Sequence, residues 1–186
     1  MKITYLTHAS VFINIDGIKI LTDPWLIGPC WGGELWHYPP HNYSPKNLPK
    51  PDIIFFSHGH DDHTHEPTIK KFPKKWFSST VIAPKFNEPW WENYLNKKFK
   101  NIKFFDHNQI KKINNIDFQI FKNDLGDFDS SLKINYKNKS IFLQTDNLMS
   151  IKEADRIGKL GKIDCAFIMP FKTGPYPGFY KMSRKD

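Results

Sequence analysis

The stretch Ser57-His58-Gly59-His60-Asp61-Asp62-His63 packs three imidazoles and two carboxylates into one short loop. Histidine and aspartate are mostly exposed or paired residue types. A buried cluster of them is costly unless something binds it, and a divalent cation is the simplest partner. Imidazole together with carboxylate suits zinc, iron or manganese. His58 and His60 stand two residues apart, so a tight loop can aim both the same way, and Asp62 and His63 then turn toward a neighbouring position. The pattern predicts one or two divalent metal ions, zinc first, with iron or manganese as alternatives. Such ions generate and position a hydroxide nucleophile. The competing reading is a solvated polar loop.

A loop of this kind needs a rigid base. Ile53-Ile54-Phe55-Phe56 before it reads as a short buried strand, and a helix over about 66–72 follows. Upstream, residues 2–7, 11–15 and 18–22 read as three strands. Asp16-Gly17 between the second and third is a two-residue hairpin signal. Downstream, 80–83 reads as a strand, and Asn87 is expected to cap a helix running to about Phe99 with Pro89 in its first turn. Trp90, Trp91, Tyr94 and Leu95 fall at helical spacing there and are expected to face the core. Further strands are expected at 103–105, 109–113, 118–121, 132–136, 140–144 and 163–169, with a helix over 151–160. A change from βα units to successive hairpins predicts a second sheet.

The pattern His-x-His-x-Asp-His resembles the signature of the metallo-β-lactamase fold superfamily. The opening Ile3 to Ser10, with Asp16-Gly17 and the run Leu21 to Leu26, resembles one branch of it. That branch holds the CMP-N-acetylneuraminate hydroxylases, the L-ascorbate-6-phosphate lactonases and the N-acylphosphatidylethanolamine phospholipases. Asp23-Pro24-Trp25, the Trp/Pro-rich loop and Tyr176-Pro177-Gly178 look most like the hydroxylase. The resemblance implies an α/β chain folded as an αββα sandwich over residues 1–186, here expected to lack its last strands and closing helix. It implies metal ligation by His58, His60, Asp62 and His63, with Asp146 bridging two metals and Asp23 supporting the ligands from behind. His8 closes the first strand, and is read either as a residue near the metals or as a turn histidine.

Two departures from the family pattern matter. Where most members carry a third histidine for the first metal, the aligned stretch is Gly126-Asp127-Phe128-Asp129-Ser130-Ser131. Asp127 takes the histidine's place and Asp129, two residues on, is the alternative. A final histidine expected after a further strand and helix is also lacking, since His107 is the last in the sequence and its neighbours do not fit the motif. Residues 24–51 hold many prolines and aromatics. They read either as a wall of a substrate cleft, with Trp25, Trp36 and the later Tyr176 as substrate contacts, or as a packed surface loop.

Composition bounds the function. A chain of 186 residues is expected to form one domain, and 16 Phe, 7 Tyr and 6 Trp argue against disorder. No apolar run is long enough to span a bilayer, and no signal-peptide pattern opens the chain. Cys30 and Cys165 stand apart from each other without metal-type spacing, which fits a reducing cytoplasm. They also preclude a Rieske centre within this sequence, because such a centre needs paired Cys and His ligands. The net charge of +8 could draw in a phosphorylated or acidic small molecule, but lysine is spread through the whole chain and reads first as filling solvated faces. A nucleotide sugar is what the resemblance to the hydroxylases implies. Nucleic acid is not expected, and the oligomeric state is left open. The leading expectation is a metallo-hydrolase acting on an ester, lactone, phosphodiester or amide. Alternatives are a hydroxylase component served by a separate Rieske protein, and a non-catalytic binding protein on the same fold.

Overall fold

The computed structural model describes residues 1–169. Strands β1 (Lys2–Thr7), β2 (Ser10–Ile15) and β3 (Ile18–Thr22) form an antiparallel meander. Asp16 and Gly17 join β2 to β3 with φ of +53° and +90°, the left-handed pair that a two-residue hairpin requires. From β3 the sheet continues in parallel through β4 (Ile53–Phe55), β5 (Thr80–Pro84) and β6 (Ile102–Phe105). The second sheet holds β7 (Ile110–Ile113), β8 (Ile116–Lys122), β9 (Ser130–Tyr136) and β10 (Lys139–Leu143) in antiparallel order, with β11 (Cys165–Phe167) parallel to β10.

Side chains alternate across a strand, and β4 shows what that does. Ile53 and Phe55 point between the sheets, where they meet Phe118, Ile120, Leu132 and Ile141. Ile54 and Phe56 point outward onto Ile69, Trp76, Trp91 and Leu95. These belong to α1 (Glu66–Lys70), a 3₁₀ turn at Lys74–Ser78, and α2 (Pro89–Lys98). On the far side, Ile157 of α3 (Ile151–Gly158) packs on Phe121 and Phe142. The layers run helix, sheet, sheet, helix, the expected αββα sandwich. No helix among the described residues is long and apolar enough to cross a membrane.

Several local expectations shift. Helix α2 begins at Pro89 with Glu88 at the cap position and no side-chain cap bond, so Asn87 lies one residue too early. Trp91 and Leu95 are buried, but Trp90 is 53% exposed because it turns back over the His-rich loop. Tyr176 lies outside the described residues.

The sandwich brings four strand ends together. β3 runs into Asp23, β4 into the His-rich loop and β10 toward Asp146, while Asp129 immediately precedes β9. Ser130 Oγ donates to the Ser57 carbonyl at 2.7 Å and ties the two sheets together beneath the loop.

Candidate metal centre

Asp23 anchors the centre from behind. Its side chain is fully buried and accepts hydrogen bonds from Ser57 N and Ser57 Oγ, both at 2.7 Å. The Ser57 hydroxyl spends its proton on Asp23, so its oxygen accepts from His58 Nδ1–H at 2.9 Å. His63 Nδ1–H donates to Asp23 Oδ2 at 3.0 Å. Both Nδ1 atoms are thereby committed to the Asp23–Ser57 pair, which leaves Nε2 of each ring to face the centre. This is how carboxylates orient metal-ligating imidazoles.

The remaining ring nitrogens converge with carboxylates in two adjacent groups. In the first, the ligand atoms of His58, His60 and Asp129 all lie within 4.8 Å of one another. His58 Nε2 stands 2.9 Å from His60 Nδ1 and 3.3 Å from Asp129 Oδ1. In the second, His63 Nε2 stands 3.6 Å from Asp62 Oδ2 and 3.2 Å from Asp146 Oδ1. His58, His63 and Asp146 form a further cluster within the same 4.8 Å limit, so Asp146 sits between the groups. His63 Nε2 is buried and makes no hydrogen bond despite these neighbours. An orphaned imidazole nitrogen among carboxylate oxygens fits a cation, as does the donor chemistry of both groups.

The electrostatics agree. Burial, reinforced by His63 and His60, pushes His58 well below the usual imidazole range. Burial also opposes charge on His63, but Asp146 and Asp23 outweigh it and hold His63 well above that range. Burial next to Asp146 lifts Asp129 to about 7, against the opposing pull of His63. Burial raises Asp62, but its bond to His8 and the charge of His63 carry it well below the carboxylate range.

The structure separates the two carboxylates that are alternatives for the third ligand. Asp127 is exposed, on a turn whose backbone N–H donates to Asn123 Oδ1 at 3.3 Å. Asp129, nearly buried at the start of β9, is the carboxylate that faces His58. His8 has φ +46°, and its Nε2 lies 2.9 Å from Asp62 Oδ2, within a further group of His8, Asp62 and His63 whose ligand atoms lie within 4.8 Å of one another. His107 lies away from the cluster, beside Glu153.

The expected substrate wall changes too. Trp25 is 1% exposed and wedged among His8, His37 and His65, so it offers no surface to a ligand. Trp36 is exposed and lines a separate cleft of about 520 Å³ with His37, His41 and Tyr43, which contains none of the clustered ligands. A cleft of about 270 Å³ does open beside the centre. His8 and Asp146 form its polar edge, and Tyr5, Val11, Phe167 and Met169 its apolar wall. Ser57 and Trp31 were not singled out by sequence reasoning. Ser57 adjoins the motif, yet its role depends on Asp23, which is distant in sequence. Trp31 is, by sequence, one more aromatic in the proline-rich stretch 24–51.

Fold and site together define a metallo-β-lactamase-type sandwich. Residues 2–151 match the family described as Beta-lactamase superfamily domain, and the chain belongs to that superfamily. Within it, the chain is similar to the cytidine monophosphate-N-acetylneuraminic acid hydroxylase of Xenopus laevis, at 29% identity over 152 residues. That match covers 78% of this chain and 26% of the relative, so the chain spans about a quarter of that hydroxylase. Among solved structures, an isothiocyanate hydrolase from Delia radicum gut bacteria matches with TM-score 0.69 and 16% identity, over 89% of this chain and 70% of the other. CmlA, a diiron β-hydroxylase from Streptomyces venezuelae, matches with TM-score 0.68 and 19% identity, over 89% and 34%. Hydrolases and hydroxylases thus share this fold.

Proposed function

We propose that this chain is a metal-dependent hydrolase acting on a small molecule, with two divalent cations as cofactors. His58, His60 and Asp129 would hold the first, Asp62 and His63 the second, and Asp146 would bridge them. The observation that carries this reading is the orphaned, buried Nε2 of His63 facing Asp62 and Asp146. When bound, the cations supply Lewis acidity and an acidified water. The chain's own residues then do the rest. Asp23 and Ser57 hold the imidazoles, His8 holds Asp62, and the Tyr5–Phe167 side of the cleft takes the apolar part of a substrate. The net charge of +8 favours an anionic substrate, and the unpaired Cys30 and Cys165 favour a cytoplasmic setting.

A second reading is supported by the carboxylate at position 129 and by the hydroxylase relatives. Two imidazoles with one carboxylate form a harder donor set than three imidazoles and suit iron or manganese as well as zinc. On that reading the chain is part of a hydroxylase acting on a nucleotide sugar, supplied with electrons by a separate protein.

The test is direct. The full chain, loaded separately with zinc, manganese and ferrous iron, is offered carboxylic esters, lactones and phosphodiesters. In parallel, the ferrous protein is given oxygen, a reductant and a nucleotide sugar. Hydrolysis in the first arm supports the proposal. Product only in the second arm transfers the assignment to the hydroxylase reading. Metal uptake without turnover in either arm would leave a binding protein.

A further inference from the structure

Trp31 touches both ligand groups while belonging to neither. It opens a short strap in which Cys30 and Leu35 pair as an isolated antiparallel bridge. Its φ is +51°, a left-handed value that a bulky side chain adopts only when its surroundings impose it. Two hydrogen bonds do so. The Trp31 backbone N–H donates to Asp61 Oδ2 at 2.7 Å, and its indole Nε1–H donates to Asp62 Oδ1 at 3.2 Å. Its ring meets the His60 ring edge-on at 5.4 Å.

The consequence for Asp62 is a divided carboxylate. Oδ1 is taken by the indole, while Oδ2 accepts from His8 and faces His63 Nε2. We infer that Trp31 is a positioning residue for the second cation, holding Asp62 so that one chosen oxygen faces the site. Asp61 then acts through Trp31 by fixing its strained backbone. This gives the variable position of the His-x-His-x-Asp-His motif a role that spacing alone does not assign. The inference rests on the two-cation reading above. Polar partners of this kind are worth about ten- to hundredfold in metal affinity when removed.

The experiment measures stepwise zinc affinity of the full chain by chelator competition, together with indole N–H resonances of tryptophan-labelled protein. Trp31→Phe keeps a ring against His60 but lacks the donor. It should weaken the second zinc about ten- to hundredfold and leave the first within about twofold. Asp61→Ala should shift the same affinity in the same direction. The Trp31 indole N–H resonance, assigned by its loss in Trp31→Phe, should move more as the second zinc binds than with the first, because its hydrogen bond goes to Asp62. Equal weakening of both zincs, no weakening, or an indole signal indifferent to the second zinc would overturn the positioning role and leave the two-cation reading standing. A wild-type chain that takes no second zinc would overturn both.

Discussion

His63 Nδ1 donates to Asp23 Oδ2 at 3.0 Å, and neither side chain has any exposed surface. Through this contact the end of β3 sets the ring orientation in the loop that follows β4. Asp23→Asn keeps the volume but can turn an amide N–H toward the imidazole, which favours the wrong tautomer. Zinc affinity is expected to fall about ten- to hundredfold. Asp23→Ala should in addition unfold the chain more readily, by about 3–5 kcal/mol, since it strands a buried partner. Chelator competition and denaturant melts read the two effects separately. Equal affinity for Asp23→Asn and wild type would remove the orienting role.

The two candidate carboxylates of the β8–β9 turn behave differently. Asp129→Ala should lose one metal equivalent, because Asp129 faces His58 at 3.3 Å. Asp127→Ala should keep wild-type metal content, because Asp127 is exposed on the outer side of the turn. Metal analysis after growth in zinc, manganese and iron decides it, and loss of metal from Asp127→Ala alone would reverse the assignment.

Much of this was legible in the sequence. The hairpin at Asp16-Gly17 and the apolar run before the His-rich loop both carry local signals, and each falls where expected. Local signal also named His58, His60, Asp62 and His63. What it could not weigh was register. Asp127 and Asp129 both satisfy the composition of the turn, and only the start of β9 at Ser130 decides which one points inward. Trp25 failed for a related reason. Aromatics in a proline-rich loop look alike on paper, whereas burial under His8 and His37 is settled by tertiary packing.

Packing around Gly59 gives a mechanical prediction. A Cβ built there would come 2.3 Å from Trp90 Cη2. Trp90 is half exposed, so its ring can swing away. Gly59→Ala should therefore change tryptophan fluorescence and cost about 1–2 kcal/mol, the range of a modest overpacking strain, while two metals still bind. Loss of folding would mean that the loop itself cannot move.

Acid sensitivity should have a contribution remote from the centre. Burial against Trp25, with His41 close by, lowers His37 to about 4 from an ordinary 6.5. Between those values the unfolded chain binds the proton and the folded chain does not, so stability falls as pH drops from about 6.5 to 4. His37→Phe keeps a ring on Trp25 and should flatten that part of the stability profile. Parallel pH profiles for the variant and wild type would contradict the burial argument.

The central claim is a two-cation centre built on the His-rich loop, and metal stoichiometry tests it most directly. The wild-type chain, purified from metal-supplemented cells and dialysed, should hold two equivalents. His58→Ala with His60→Ala should hold no more than one, and Asp146→Ala should weaken both sites. A wild-type chain without bound metal, or a double variant with wild-type content, would contradict the account.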